Sequence, residues 1–211
     1  AQQSFSRGVL FAHDVPLGFD FEAMSVQLSQ TLPPGTPISM VSAGEANAQT
    51  NLTGRMNEGK FLINYSGHGS AGLWANSSFF NNNTVPQLSN IDRPSVYSML
   101  TCLNGYFLRP NGDSLSEALL FSTTGGAVTA WASTSETTPD IQLIMGLRFF
   151  NQLSTGNIET MGDLVKDAKT AIAANETSMP PEIITSSTPI AKMPVTMLLR
   201  NKSNRLPTLK K

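Results

Sequence analysis

Short apolar runs alternate with longer stripes of helical spacing along this chain. Val9-Leu-Phe-Ala12 is an unbroken apolar run ending at His13-Asp14, the pattern of a short strand covered on both faces. From Phe21 to Leu32 the apolar residues fall at Phe21, Met24, Leu28 and Leu32, a helical spacing that Pro33-Pro34 stops. Ile38 to Val41 predicts a second strand, Ala46 to Met56 a polar helix ended by Gly59, and Phe61 to Tyr65 a third strand. The segment from Ala71 to Pro94 reads as loop, broken by Asn81-Asn-Asn83, Pro86 and Pro94. Val96 to Leu100 is a fourth strand, and Ser114-Leu-Ser-Glu117 is a capping box that starts a helix running to Ser122. Gly125 to Trp131 predicts a fifth strand. Pro139 suits the first turn of a helix carrying Ile141, Leu143, Ile144, Leu147 and Phe150. Thr160 and Asp163 start another, with Leu164, Val165, Ala168 and Ile172 inward, and Val195 to Leu199 is the last strand. This β-α-β alternation predicts an α/β fold: an open, mostly parallel sheet with helices on both faces.

Composition narrows the picture in three ways. A length of 211 residues fits one domain over 1–211 with core enough to be stable unaided. A net charge of −1 argues against nucleic acid as a partner, because that affinity rests on clustered Lys and Arg. Arg200, Lys202, Arg205, Lys210 and Lys211 make 200–211 a basic, solvated tail and not a nucleic-acid arm. No apolar stretch is long enough to span a bilayer. The chain opens Ala1-Gln-Gln-Ser, with neither an initiator Met nor a signal segment. It therefore reads as a processed or excised piece, with flanking domains of a parent chain as expected partners.

Two strand ends carry the chemistry. Tyr65-Ser-Gly-His68-Gly-Ser70 closes the third predicted strand, and Met99-Leu-Thr-Cys102-Leu-Asn-Gly105 closes the fourth. Cys102 is the only cysteine and His68 one of two histidines. Parallel neighbours bring their C-terminal ends to one crevice, where ligands bind in open α/β sheets. A thiol needs a base or cationic partner to become a nucleophile, and imidazole is the usual one near neutral pH. Gly67 and Gly69 let the backbone beside His68 turn sharply, and the Gly69 and Cys102 amides are candidate oxyanion donors. A lone cysteine ending an apolar strand is by default packing; the joint pattern of His-Gly and Cys-x-x-Gly at two strand ends points instead to a dyad. His13 is a rival base without flanking glycines, and Asp14 either orients His68 or caps a turn. One Cys and two His cannot supply a zinc set, so no cofactor is expected, with a structural calcium held by carboxylate and carbonyl oxygens left open.

Asn64-Tyr-Ser-Gly-His-Gly-Ser70, Trp74, Phe79-Phe80 and Leu100-Thr-Cys-Leu-Asn-Gly-Tyr-Phe107 resemble the gingipain family of caspase-like cysteine peptidases. Ser114-Leu-Ser-Glu-Ala-Leu-Leu120 and Gly125-Gly-Ala-Val-Thr-Ala-Trp-Ala-Ser133 continue the resemblance, which spans residues 9 to 175. It implies a caspase-like α/β fold and a cysteine endopeptidase with a Cys102–His68 dyad, acting on protein or peptide substrates. It also implies an acidic residue after the first strand that orients the histidine, a position held here by Asp14. Family members cleave after one preferred side chain, often basic, and are typically secreted by bacteria, which implies an extracellular or cell-surface setting. A basic preference needs a carboxylate at the base of the pocket. Asp20, Glu22, Glu136 and Asp140 are the acids in the loops after Asp14 and Trp131. Two features depart from the family. Leu199 is followed by Arg200-Asn-Lys202 and not by Gly-Asp-Pro, and the half-domain that normally precedes the first strand is missing. A CHAT-type caspase-like signalling protease and a degenerate, non-catalytic binding module are the alternatives.

Overall fold

A computed structural model describes residues 5–75, 79–176 and 195–199. The elements run β1 (Val9–His13), α1 (Phe21–Gln30), β2 (Ile38–Ser42), α2 (Ala48–Asn57) and β3 (Leu62–Ser66). Three two-residue strands come next: β4 (Gly69–Ser70), β5 (Leu73–Trp74) and β6 (Phe80–Asn81). The chain continues through β7 (Ser95–Leu100), α3 (Leu115–Phe121), β8 (Ala127–Ser133), α4 (Pro139–Thr155), α5 (Met161–Glu176) and β9 (Val195–Leu199). The expected basic tail at 200–211 lies outside the described residues.

The main sheet has the order β2-β1-β3-β7-β8-β9. Its first five strands are parallel and β9 closes one edge antiparallel to β8. Its two faces bury separate cores because successive side chains on each strand point to opposite sides. One face carries Phe11, Phe21, Met24, Leu28, Trp131, Phe149 and Phe150, covered by α1, α4 and α5. The other carries Leu10, Ile63, Tyr65, Trp74, Tyr97 and Met99, covered by α2, α3 and the small sheet. This is the doubly covered, mostly parallel sheet that the unbroken apolar runs call for.

Local chemistry sets the helix ends. Asp20 accepts from the Ala23 amide at 2.9 Å and starts α1. Ser114 and Glu117 satisfy each other's amides at the start of α3, as the capping box requires. The expected loop over 71–94 instead contributes β5 and β6, which with β4 form a three-stranded antiparallel sheet, followed by a single helical turn at Val85–Gln87. Strands of two residues are too short to show any alternation in sequence. Among the described residues no helix is long and apolar enough to cross a membrane.

Topology then dictates where a site forms. From β1 the chain steps to β2 on one side, then crosses back to β3 on the other. The loops after β1 and β3 consequently leave the sheet at a switch point, the place where open α/β sheets leave a crevice.

Candidate active site

β3 and β7 are parallel neighbours in register from Leu62↔Val96 to Ser66↔Leu100. The segments bearing His68 and Cys102 therefore leave the sheet side by side. Just beyond the ladder the Gly67 amide donates to the Leu100 carbonyl at 3.3 Å. Gly69 packs so closely on the next strand's end that a Cβ there would stand 2.5 Å from Thr101 Oγ1. His68 lies between these two anchors and Cys102 directly follows Thr101, so both turns are pinned to one stretch of backbone. What both glycines supply is close approach: a Cβ on Gly67 would strike the Tyr65 hydroxyl and sit 2.6 Å from Asp14 Cβ.

The imidazole is held from the β1 side. Its Nε2 meets the Leu17 carbonyl at 3.1 Å, and Phe21 presents its ring edge-on at 5.2 Å between centroids. A carbonyl only accepts, so Nε2 carries a proton in this contact. Asp14 acts on the histidine differently from the expectation that its carboxylate would bond the ring. Its Oδ2 accepts from the His68 main-chain amide at 3.3 Å and its Oδ1 from the Val15 amide at 2.8 Å. The carboxylate thereby ties the loop after β1 to the turn after β3, and the Leu17 carbonyl of that same loop takes the ring. Both carboxylate oxygens thus bond main-chain N–H groups.

Substitution at Asp14 tests that bonding. Asp14→Asn keeps one acceptor oxygen but turns an NH2 toward the second amide. With Asp14 buried, the mismatch is expected to cost about 1–3 kcal/mol, read as a lowered thermal unfolding midpoint. Any loss of turnover should come with that shift, and turnover lost at unchanged stability would show a direct electrostatic role for the carboxylate.

Cys102 is half-buried in a turn that the loop after β8 embraces. Leu103 adopts the left-handed region at φ 59°, a strained conformation for a branched side chain. Its amide is fixed to the Ser135 carbonyl at 3.1 Å and the Gly105 amide to the Ser133 carbonyl at 2.8 Å. Cys102 Sγ lies 3.4 Å from both the main-chain nitrogen and the oxygen of Thr137. The thiol donates to the carbonyl, and the amide is a donor to the sulfur. On the other side the Ala75 amide bonds to the His68 carbonyl at 2.8 Å. Gly69, paired with Trp74, therefore occupies the non-hydrogen-bonded position of the β4–β5 ladder, and its N–H faces away from β5. That orientation suits an oxyanion donor.

The other residues singled out from the sequence are dispersed. Asp20 caps α1, Glu22 and Asp140 lie in the first turns of α1 and α4, and Glu136 is in the loop that grips Cys102. All four are exposed, and none forms a buried pocket base. His13 is buried in β1 with Nδ1 3.1 Å from the Asp14 carbonyl, part of the sheet and not of the crevice. Among the described residues no three His, Cys, Asp or Glu side chains converge on a metal position.

Four contributors escaped the sequence reading. Leu17 and Thr137 act through their main chains, which no side-chain pattern signals. Tyr65 donates its hydroxyl to the His68 carbonyl at 2.6 Å. Burial and the Asp14 charge push that hydroxyl far above its ordinary value, so it stays protonated. Asn104 links the cysteine turn to β4 and β5, and its only sequence signal is its place in Cys102-Leu-Asn-Gly105.

Comparison with known proteins places this geometry. The model of Peptidase family C25 matches residues 8–192. The crystal structure of the Arg-specific cysteine proteinase gingipain R (RgpB) superposes with a TM-score of 0.68 at 21% identity, covering 82% of this chain and 43% of that one. The complex of Porphyromonas gingivalis RgpB pro- and mature domains gives 0.70 at 22% identity, covering 83% and 44%. A further structure, described only as a protease, gives 0.68 at 14% identity. No match is found among curated proteins. The chain thus shares the fold of these structures and spans less than half of their length.

Proposed function

We propose, from the premise that this chain belongs to Peptidase family C25, that it hydrolyses peptide bonds with Cys102 as nucleophile and His68 as its base. The observation that carries the reading is the pair of turns after β3 and β7, locked together by Gly67 to Leu100 and by Gly69 against Thr101.

The chemistry rests on the hydrogen-bonding pattern. His68 Nδ1 takes the thiol proton while Nε2–H remains on the Leu17 carbonyl, which orients the ring. As the proton leaves, the bond from sulfur to the Thr137 carbonyl is lost and the Thr137 amide remains as a donor to the thiolate. Sulfur attacks the scissile carbonyl carbon, and its oxygen gathers negative charge toward the Gly69 and Cys102 amides. Collapse breaks the C–N bond, and the departing amine takes the proton from His68. Water, with His68 again as base, then hydrolyses the thioester and frees the thiol.

If the residue before the cut is basic, Glu136 is the best placed of the four acids. It directly precedes Thr137, whose main chain contacts the cysteine sulfur, whereas Asp20 is already engaged by the Ala23 amide. The family resemblance extends the reading to an extracellular or surface-exposed bacterial setting, with flanking domains of a longer parent chain as partners.

Profiling cleavage of a fluorogenic peptide library, with and without iodoacetamide, tests the reading. Turnover that alkylation of Cys102 abolishes is the expected result, with an Arg or Lys preference that Glu136→Ala removes. A preference for Asn, Asp or small apolar residues would discard the basic pocket and leave the Cys102–His68 mechanism in place. No turnover together with an unreactive Cys102 would favour the non-catalytic module.

A further inference from the structure

The two turns that carry the dyad are joined by a second route, through three buried side chains. Asn104, two residues beyond Cys102, has no exposed surface. Its Oδ1 accepts from Trp74 Nε1 at 2.7 Å, and its Nδ2 donates to the Ser70 carbonyl at 2.5 Å and the Leu73 carbonyl at 3.2 Å. Every one of these bonds goes to the β4–β5 hairpin, which begins at the residue after His68. The Trp74 indole stacks on the Tyr65 ring with centroids 4.4 Å apart and planes 6° from parallel. The Tyr65 hydroxyl closes the circuit, donating to the His68 carbonyl and accepting from the Ala75 amide at 2.9 Å.

We propose that Tyr65, Trp74 and Asn104 form a brace that fixes the separation and orientation of Cys102 and His68, and so act as positioning residues for the dyad. The inference rests on the dyad reading and adds the part that sets its geometry. Three features favour a brace over ordinary core packing. Tyr65 bonds to the main chain of His68 itself, and Asn104, two residues beyond Cys102, bonds only to the hairpin that begins at the residue after His68. The Tyr65 and Asn104 side chains at its polar ends are buried, where a hydrogen bond is strong and a missing one costly. A stacked pair of large rings has almost no soft rotamers through which the two turns could drift apart.

The experiment measures the rate of Cys102 alkylation by iodoacetamide across pH 5–9, on the whole chain below its unfolding midpoint. The parent is compared with Tyr65→Phe and Asn104→Asp. Tyr65→Phe removes a single oxygen and keeps the stack. Asn104→Asp keeps the size and the acceptor for Trp74 but sets an oxygen against two carbonyls. Both variants are expected to slow alkylation at neutral pH by about tenfold, in line with the roughly hundredfold cost of a 1 Å misplacement in a reacting pair. The kcat for a peptide should fall at nearly constant KM. The double variant should lose less than the product of the single losses, because both cut one connection. Variants that unfold at lower temperature but keep the parent's alkylation profile would overturn the brace. A parent whose Cys102 reacts no faster than a free thiol would overturn the dyad itself, a result distinct from the first.

Discussion

Cys102→Ala is expected to abolish peptide hydrolysis, a loss of at least about 10³-fold, while leaving the fold intact. The sulfur supplies the covalent step, and neither Thr101 nor Ser66 is placed to replace it. Thr101 is buried with its hydroxyl against Gly69, and Ser66 is buried with its hydroxyl bonded to Asn64. The structural cost is small because Cys102 is half-buried and its sulfur contacts one residue of a surface loop, at 3.4 Å. His68→Ala should be nearly as damaging, since it removes both the acceptor for the thiol proton and the donor to the leaving amine. His13→Ala should disturb β1 and lower the unfolding midpoint with a much smaller effect on kcat. Turnover and circular dichroism of the three variants decide the matter. Comparable hydrolysis by Cys102→Ala would sink the mechanism, and a larger loss in His13→Ala than in His68→Ala would move the base to β1.

The strands that build the site were legible in the sequence for a physical reason. A strand covered on both faces must be largely apolar, so Val9–Ala12, Phe61–Tyr65 and Val96–Leu100 stand out, and the residues just after each run are displayed at one sheet edge. The dyad candidates were legible because His68 and Cys102 stand at two such ends. The sequence could not reveal which group orients the ring. Asp14 is the obvious acid, yet its oxygens are drawn to two main-chain amides, and the ring is left to a carbonyl of Leu17 that has no side-chain signature. The β4–β6 sheet was hidden by its two-residue strands, although Tyr65, Trp74 and Asn104 inside and beside it were plain as large or polar residues. Their meaning lies in contacts across 10, 30 and 34 positions of the chain, which periodicity cannot see.

Gly67→Ala separates the close-approach argument from a general intolerance of substitution in turns. Gly67 has no left-handed backbone to protect, so the added methyl acts through space alone. It would meet the Tyr65 hydroxyl, then Asp14 Cβ at 2.6 Å and Tyr65 Cζ at 2.7 Å. Neither neighbour can yield easily: the tyrosine ring is clamped against Trp74, and Asp14 Cβ is fixed by a backbone at the end of β1. The turn itself must move, and His68 is the next residue. Overpacking of this kind costs about 1–3 kcal/mol, or roughly 2–12 °C of unfolding midpoint for a domain of this size. The displaced imidazole should lower turnover by about 10²-fold. Gly54→Ala is the matched control. Gly54 is exposed within α2 with nothing within 4 Å of an added Cβ, so the change should stabilise the helix by about 1 kcal/mol and leave turnover alone. Differential scanning calorimetry and peptide kinetics on the two variants read both quantities. Full activity and an unmoved midpoint in Gly67→Ala would mean that the turn before His68 is not held by Tyr65 and Asp14, and the tight coupling of the two strand ends would fall with it.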